Sequence, residues 1–373
     1  MKQRRKQMEF RYYMPVKAFF GKSCIEKNSS EFSLLGKKAF IVTGKSSAEK
    51  NGSLGDVIKA LENVNIPYAI YNKIEPNPEV EDMRKAAVFA RESGADFIIG
   101  IGGGSPLDAA KAIAILAAND IDDDTLFGAV YANPPLPIVA IPTTAGTGSE
   151  MTPYSILTFN KISNKKSIST DSIFPAAAFL DPAYTETLSA ETTVNTAIDA
   201  LSHAIEGYLS VRSTDVVKPY ALESIKLIGE CIPALEQKDI KSDTREKLLY
   251  ASMLAGIVIA HAGTTAVHAM GYPLTYHKHI DHGRANGLVL YHYLKFIEPE
   301  IEKVKDITDI MGISGVDEFG EIIDRLLGKK EMLTEQEITD FTKTAIAGKN
   351  IANTRPQPGE SDIRKIFEDS FRR

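Results

Sequence analysis

All seven histidines of this chain lie between positions 203 and 292, and the first 202 residues contain none. Asp199 and His203 are four residues apart in a segment with helical spacing, so the two side chains share a face. His268 lies in a later helical stretch, and His277, His279 and His282 follow it in what reads as a loop. One carboxylate with several imidazoles is a donor set suited to Fe2+ or Zn2+. A lone Asp-x-x-x-His pair is more commonly a solvated or core pair, and it is the confinement of every histidine to one region that points to a metal. Spacing does not choose the ligands. His261 and His268 are also seven apart on one face, and His279 is as near in sequence as His282.

A second chemistry lies earlier in the chain. Ile98–Ile101 runs directly into Gly102, Gly103, Gly104, Ser105 and Pro106. Residues without a Cβ let backbone N–H groups approach an anion closely. Ser105 suits an N-cap, Pro106 the first helical position, and Asp108 completes a capping-box spacing. The glycines are thus expected between a strand end and a helix N-terminus, where phosphate is favoured. The run is neither G-x-G-x-x-G nor a P-loop. Pro142–Glu150 (PTTAGTGSE) follows the next apolar strand and is dense in hydroxyls and glycines. Such a loop can bind a ribose, a phosphate or a carboxamide.

The elements that must hold these loops alternate. Ala39–Thr43, Tyr68–Tyr71, Phe97–Ile101, Pro137–Ile141 and Ala176–Leu180 read as strands. Leu54–Val64, Val80–Arg91 and Pro106–Ala117 read as helices, and Ser155–Thr170 as a hairpin excursion. Alternation of this kind predicts a parallel sheet with helices on both faces. From Ser189 onward the patterns are helical: Val194–Leu209, Val217–Leu227, Arg245–His261, Thr264–Gly271 and Asn286–Phe296. The expected fold is therefore an α/β domain with a phosphate site, residues 1–187, followed by an all-α metal-binding domain, residues 188–373. Ligands bind at the carboxyl ends of a parallel sheet, so a cleft between the two is the expected site.

Composition agrees with a globular protein: 43% hydrophobic and 25% charged residues. A formal charge of −6 argues against a general nucleic-acid binder. Two cysteines, Cys24 and Cys231, cannot build a disulfide framework or a multi-cysteine zinc site, and they fit a reducing compartment. The basic start, MKQRRKQMEF, is followed by no apolar h-region and reads as a solvated tail. No apolar run reaches the length of a membrane span. These features lead to the expectation of a cytoplasmic protein with no membrane and no nucleic-acid partner.

GGGSPLDAAKAIA, PTTAGTGSE, DALSHAIEGYLS and HAMGYPLTYHKHIDHGRANG occur in this order. Together they resemble the iron-containing (group III) alcohol dehydrogenases. The resemblance runs from Phe19–Phe20–Gly21 to Asn353–Thr354–Arg355–Pro356. It implies that residues 1–187 are an α/β dinucleotide-binding domain, and that the protein is a metal-dependent alcohol dehydrogenase or aldehyde reductase acting on a primary alcohol, such as butanol or a short diol, with a nicotinamide cofactor. It implies Asp199, His203, His268 and His282 as ligands of Fe2+, with Zn2+ as the alternative. His282 is preferred to His279 because the family's last ligand directly precedes a glycine, here Gly283. Gly102, Gly103, Gly104, Ser105 and Asp108 match the pyrophosphate loop, and Thr143, Thr144 and Thr147 the threonine loop. Many members carry a further histidine four residues after the third ligand. Here that position is Tyr272, the one candidate for a proton relay beside a cofactor ribose hydroxyl.

The resemblance also places the adenosine ribose at the end of Ile41–Thr43, where NAD-preferring members often carry an acidic residue. Here Gly44, Lys45 and Ser46 follow. No carboxylate in this run repels a 2′-phosphate, and Lys45 and the serines can bind one, so NADP is expected ahead of NAD. A dehydroquinate-synthase-like lyase and a zinc-dependent glycerol dehydrogenase are the alternatives. The Asp ligand and the run Tyr272–Pro273–Leu274 argue against the lyase. The family further implies a homodimer or higher homo-oligomer, with a strand near Phe10–Tyr13 as its contact.

Overall fold

The computed structural model describes residues 9–371. Of the basic tail expected at MKQRRKQMEF, all but Glu9 and Phe10 lies outside the described residues.

The described residues form eight strands: β1 (Lys17–Phe20), β2 (Ala39–Gly44), β3 (Tyr68–Ile74), β4 (Phe97–Gly102), β5 (Ile138–Pro142), β6 (Tyr154–Phe159), β7 (Asn164–Ser169) and β8 (Ala177–Leu180). Six form one parallel sheet in the order β1-β8-β5-β4-β2-β3. β6 and β7 form the expected antiparallel hairpin. All six residues of β4 and all five of β5 are buried. That is why these strands read as continuous apolar runs rather than alternating ones. Helices Ser53–Asn63, Val80–Ser93 and Gly104–Ala118 connect and cover the sheet.

The register aligns the sites. Thr43 pairs with Ile101, and Gly102 with Pro142. The carboxyl ends of β2, β4 and β5 are therefore level. The loops that follow them, at Gly44–Ser46, Gly103–Ser105 and Thr143–Thr147, lie side by side along one edge.

After β8 the chain is helical. The long helices are Ala190–Leu209, Lys218–Gln237, Ser242–Ala262, Ala266–Lys278 and His282–Ile297. They share one large apolar core, which also takes in Ala178 and Leu180 of β8. Four more helices, from Lys303 to Phe371, have no counterpart among the sequence expectations. No single helix among the described residues is long and apolar enough to cross a membrane.

Five local expectations are corrected. The phosphate-loop helix starts at Gly104 with Gly103 as its N-cap, so Ser105 lies inside the first turn. Ser105 Oγ instead accepts from Asn77 N at 3.1 Å. Asp108 closes no capping box, because its carboxylate accepts from Ser149 Oγ (2.8 Å) and Ile156 N (3.0 Å). His277, His279 and His282 do not share a loop. His277 is helical, His279 is a C-cap in the left-handed region, and His282 opens a new helix. The helix passes through Pro273, whose cost is one backbone bond, because Val267, Met270 and Leu274 stay buried in the core on either side. Pro106 is the third residue of the phosphate-loop helix and not its first. Finally, Phe10–Tyr13 pairs with no strand of its own chain.

Candidate metal and cofactor site

The helix Ala190–Leu209 is capped by Ser189, whose side chain accepts from Thr192 N, and is buried on nearly every side. Its residues Asp199, His203 and Glu206 follow an i, i+4, i+7 spacing and so share one face. The helix His282–Ile297 crosses directly above them. A Cβ at Gly283 would overlap Asn195 O and lie 2.8 Å from Asp199 Cβ. Glycine is required for this close approach, and the approach carries the neighbouring His282 over Asp199.

His282 Nε2 and His268 Nε2 each lie 3.9 Å from Asp199 Oδ1. His268 Nε2 lies 2.9 Å from His203 Nε2. One ligand atom from each of Asp199, His268 and His282 falls within a 4.8 Å cluster, and His203 adjoins it. Asn286 Nδ2 donates to Asp199 Oδ1 at 3.1 Å from the same helix as His282. His279, 82 residues on from Ala197 in sequence but separate in space, lines a different cleft with Lys278 and Glu331.

Electrostatics favour the ligating forms of Asp199, His203 and His282, whereas at His268 burial is outweighed by Glu206 and Asp199, which raise its pKa. Burial opposes charge on Asp199, but His203, His282 and His268 hold its carboxyl below the usual range. Burial pushes His203 down and His282 well down, so both imidazoles are neutral and keep a free lone pair. His282 Nδ1 is a buried atom with no partner. Three imidazole nitrogens and an ionised carboxylate converging in a buried site fit a divalent transition metal.

Glu206 is fully buried. Its carboxylate accepts from His268 Nδ1, and from Thr265 N and Thr265 Oγ1 at 2.7 Å each. Burial opposes its ionisation, but His268 and then Thr265 hold its pKa below the usual value. The proton on Nδ1 directs the Nε2 lone pair of His268 inward. Sequence reasoning missed Glu206, although the i+7 spacing from Asp199 was the signal for it. Asn286 was missed as well, and nothing short of the helix crossing could have found it.

The glycine loop forms the second half of the site. Gly102 has φ +149°, and a Cβ there would meet Pro106 Cγ at 2.5 Å. A Cβ on Gly103 would lie 3.2 Å from Thr144, and one on Gly104 would lie 2.8 Å from Thr147 Cγ2. The loop therefore lies against the threonine loop as bare backbone, with room for an anion at the helix N-terminus. Thr143 N donates to Gly102 O at 2.9 Å, joining the two loops. Gly146 O lies 3.3 Å from His203 Nδ1, so the threonine loop also touches the metal site.

A cleft of about 450 Å3 links the halves. Gly104, Ser105, Asp108 and Thr147 line it on the sheet side, and Asp199, His203, His268, His282 and Tyr272 on the helical side. Gly44, Lys45, Ser46, Gly102, Gly103, Thr143 and Thr144 lie along the sheet edge outside this cleft. Tyr272 stacks on His282, with ring centroids 5.7 Å apart and planes 9° apart. Burial, and then Glu206, Asp108 and Asp199, push its phenol far above the ordinary value, while a bond with Asn350 opposes. Its hydroxyl is therefore a proton donor and not a resident base. Lys165 of β7 also lines the cleft, and burial lowers its ammonium to about 8 against the pull of Asp108 and Asp199.

At the end of β2, Lys45 Nζ pairs with Glu75, which follows β3. Both side chains are exposed, Lys45 by 69%. Glu75 is the carboxylate that sequence reading of the Gly44 run did not contain. It is brought there by the pairing of β3 with β2.

Comparison with known proteins gives a consistent picture. The family description "Iron-containing alcohol dehydrogenase" matches residues 15–182, and "Fe-containing alcohol dehydrogenase family, C-terminal" matches residues 193–371. Long-chain-alcohol dehydrogenase 1 of Geobacillus thermodenitrificans is 31% identical, covering 97% of this chain and 96% of its own. An NADPH-dependent butanol dehydrogenase of Clostridium saccharobutylicum is 30% identical over 96% of this chain and 97% of its own. The solved structure of an iron-containing alcohol dehydrogenase from Thermotoga maritima superposes with a TM-score of 0.91 at 42% identity, over 97% of this chain and 99% of that one.

Proposed function

Because this chain belongs to the iron-containing alcohol dehydrogenase family, we propose that it catalyses reversible hydride transfer between a nicotinamide cofactor and a primary alcohol or its aldehyde. The observation that carries this reading is the single cleft with Asp199 and three imidazoles on one side and the Gly104 helix N-terminus on the other.

Asp199, His203, His268 and His282 would hold the ion, Fe2+ in the first instance and Zn2+ as the alternative. When bound, the divalent cation supplies Lewis-acid polarisation of the alcohol oxygen, and the nicotinamide supplies the hydride acceptor. The protein's own groups do the rest. Glu206 keeps the His268 proton on Nδ1 and the ring in a fixed orientation. The backbone of Gly102–Ser105 and the helix behind it hold the pyrophosphate. Thr143, Thr144 and Thr147 offer hydroxyls toward the ribose and carboxamide. Tyr272, stacked on His282, keeps its hydroxyl protonated, so it relays a proton only by donating one as it accepts another.

NADP is the preferred cofactor in this reading. The β2 end carries Gly44 and no acidic side chain of its own. Lys45 is tied only to the exposed Glu75, and an exposed ion pair is worth about 0–1 kcal/mol. A 2′-phosphate with nearly two charges can draw Lys45 away from it. A homodimer is also proposed, supported by the exposure of Phe10, Tyr12 and Tyr13 at a segment that pairs with no strand of its own chain. A monomer in light scattering at micromolar concentration would exclude it. The cytoplasm is the proposed location, consistent with two buried free thiols.

Elemental analysis of anaerobically purified protein, paired with NADPH oxidation across an aldehyde panel, tests the activity. About one iron or zinc per chain with turnover of butanal is the expected result. Neither metal nor turnover would exclude the reading.

A further inference from the structure

Cationic side chains mark the mouth of the cleft. Arg212 and Lys349 both line it and are both exposed to solvent. They come from distant parts of the chain but from one stitched wall. Val211 N donates to Asn353 O at 3.0 Å. Asn353 Nδ2 donates to Thr264 O at 2.9 Å, and Asn350 Nδ2 donates to Thr264 Oγ1 at 2.5 Å. The segment that opens at Lys349 is therefore held against Arg212 and the Gly263–Thr264 turn. A Cβ on Gly263 would lie 3.3 Å from an Arg212 terminal nitrogen, so the guanidinium lies over that turn.

The two charges are uncompensated. Asp108 and Asp199 are the carboxylates that line the cleft. Asp199 is turned to the imidazoles and Asn286. Asp108 is held by Ser149 Oγ and Ile156 N, and it is the inner Lys165 that feels its field. Among the described residues, neither Arg212 nor Lys349 has a carboxylate within ion-pair distance. A protein with a formal charge of −6 thus presents a positive entrance to its own reaction site. Clefts lined by one sign of charge concentrate ligands of the other sign.

We propose that this wall is an anion subsite, and that the preferred substrates are short aldehydes and alcohols carrying a carboxylate or sulfonate at the end remote from the reacting carbon. The inference rests on the dehydrogenase reading and narrows its substrate class. The reacting end would lie at the imidazoles and the charged end at Arg212 and Lys349. Carboxylate and sulfonate share the chemistry of a terminal oxyanion, and Arg212 can offer either a pair of parallel N–H donors.

The test compares three substrates of matched length on the holoenzyme: butanal, 4-oxobutanoate and 3-oxopropane-1-sulfonate. At least one anion should exceed butanal in kcat/KM by tenfold or more, and the better anion identifies the source class. That ratio should fall at least tenfold in Lys349→Met or Arg212→Met and persist in Lys349→Arg. It should also fall with rising ionic strength, because the two cations are exposed. Calorimetric binding of 4-hydroxybutanoate without nucleotide gives a readout independent of turnover, and it should be tighter than that of 1-butanol. A wild-type ratio below ten for both anions overturns the inference, and so does 4-hydroxybutanoate binding no tighter than 1-butanol. If none of the three aldehydes is reduced, the dehydrogenase reading itself fails, and that result is distinct from a preference for butanal.

Discussion

The carboxylate of Glu206 is hydrogen-bonded to Nδ1 of His268, and the opposite ring nitrogen, Nε2, faces Asp199 and His203. A buried acid with no solvent contact thus sets the tautomer of a proposed ligand one side chain away. Glu206→Gln keeps the shape but removes the charge that fixes the proton. Affinity for Fe2+ or Zn2+, measured by chelator competition, should fall about 10–100-fold. Activity should return at excess metal. Unchanged affinity would make Glu206 a purely structural residue.

His268 and His279 separate the proposed ligand set from its nearest rival in sequence. His268 lies in the cleft with Asp199, whereas His279 is an exposed C-cap elsewhere. His268→Ala should purify with little bound metal and no measurable activity. His279→Ala should retain both. Equal metal loss in the two variants, by elemental analysis, would show the ligand assignment to be wrong.

In the proposed reading, cofactor choice is set by the side chains at the sheet edge. Gly44→Asp would place an acceptor for a ribose hydroxyl there and repel a 2′-phosphate, shifting preference toward NADH. Glu75→Gln would free Lys45 and remove the carboxylate paired with it, shifting preference further toward NADPH. Charge-assisted contacts are worth about 1.5–3 kcal/mol each, so Gly44→Asp should change the kcat/KM ratio roughly tenfold or more, whereas Glu75→Gln, which releases an exposed pair worth about 0–1 kcal/mol, should change it by about fivefold at most. A wild-type enzyme with higher kcat/KM for NADH would defeat the NADP assignment before either variant is made.

Glu150, in the threonine loop, is buried, and its Oε1 has no partner. Burial raises its carboxyl from the ordinary 4.5 to about 7, with its own backbone and Lys111 opposing. The unfolded chain ionises this group first. Stability from the protonated form is therefore complete below pH 4.5 and is lost as pH rises to about 7. Glu150→Gln removes that loss. The variant should match wild type near pH 5 and be more stable at pH 8, by about 1–3 kcal/mol in denaturant melts. A pH-independent difference would mean that Glu150 does not titrate in this window.

Periodicity and motif placed most of the frame. β2, β4 and β5 are legible because strands buried on both faces must be continuously apolar, and Gly102–Ser105 because a strand running into glycines leaves few alternatives. The helix carrying Asp199 and His203 is legible as a long apolar run in which those two polar side chains recur four residues apart. The four helices after Lys303 escaped, because their amphipathic patterns carry no motif to anchor them. The capping role of Ser105 and Asp108 was misread, since local spacing cannot know that Asn77, Ser149 and Ile156 claim those side chains.

What the sequence by itself determined was the residue inventory and the order of the elements: a parallel sheet, then helices, with every histidine in the second half. Only the tertiary structure decided which groups meet. Gly283 lets one helix close onto another and sets His282 over Asp199. The pairing of β3 with β2 puts Glu75 beside Lys45. The backbone bond from Val211 to Asn353, with the side-chain bonds of Asn350 and Asn353 to Thr264, brings Arg212 and Lys349 to one wall. Each is a contact between residues at least 29 positions apart in the chain. Spacing along a helix or strand reports on neighbours within one element, whereas contacts between elements depend on packing, which no local pattern encodes.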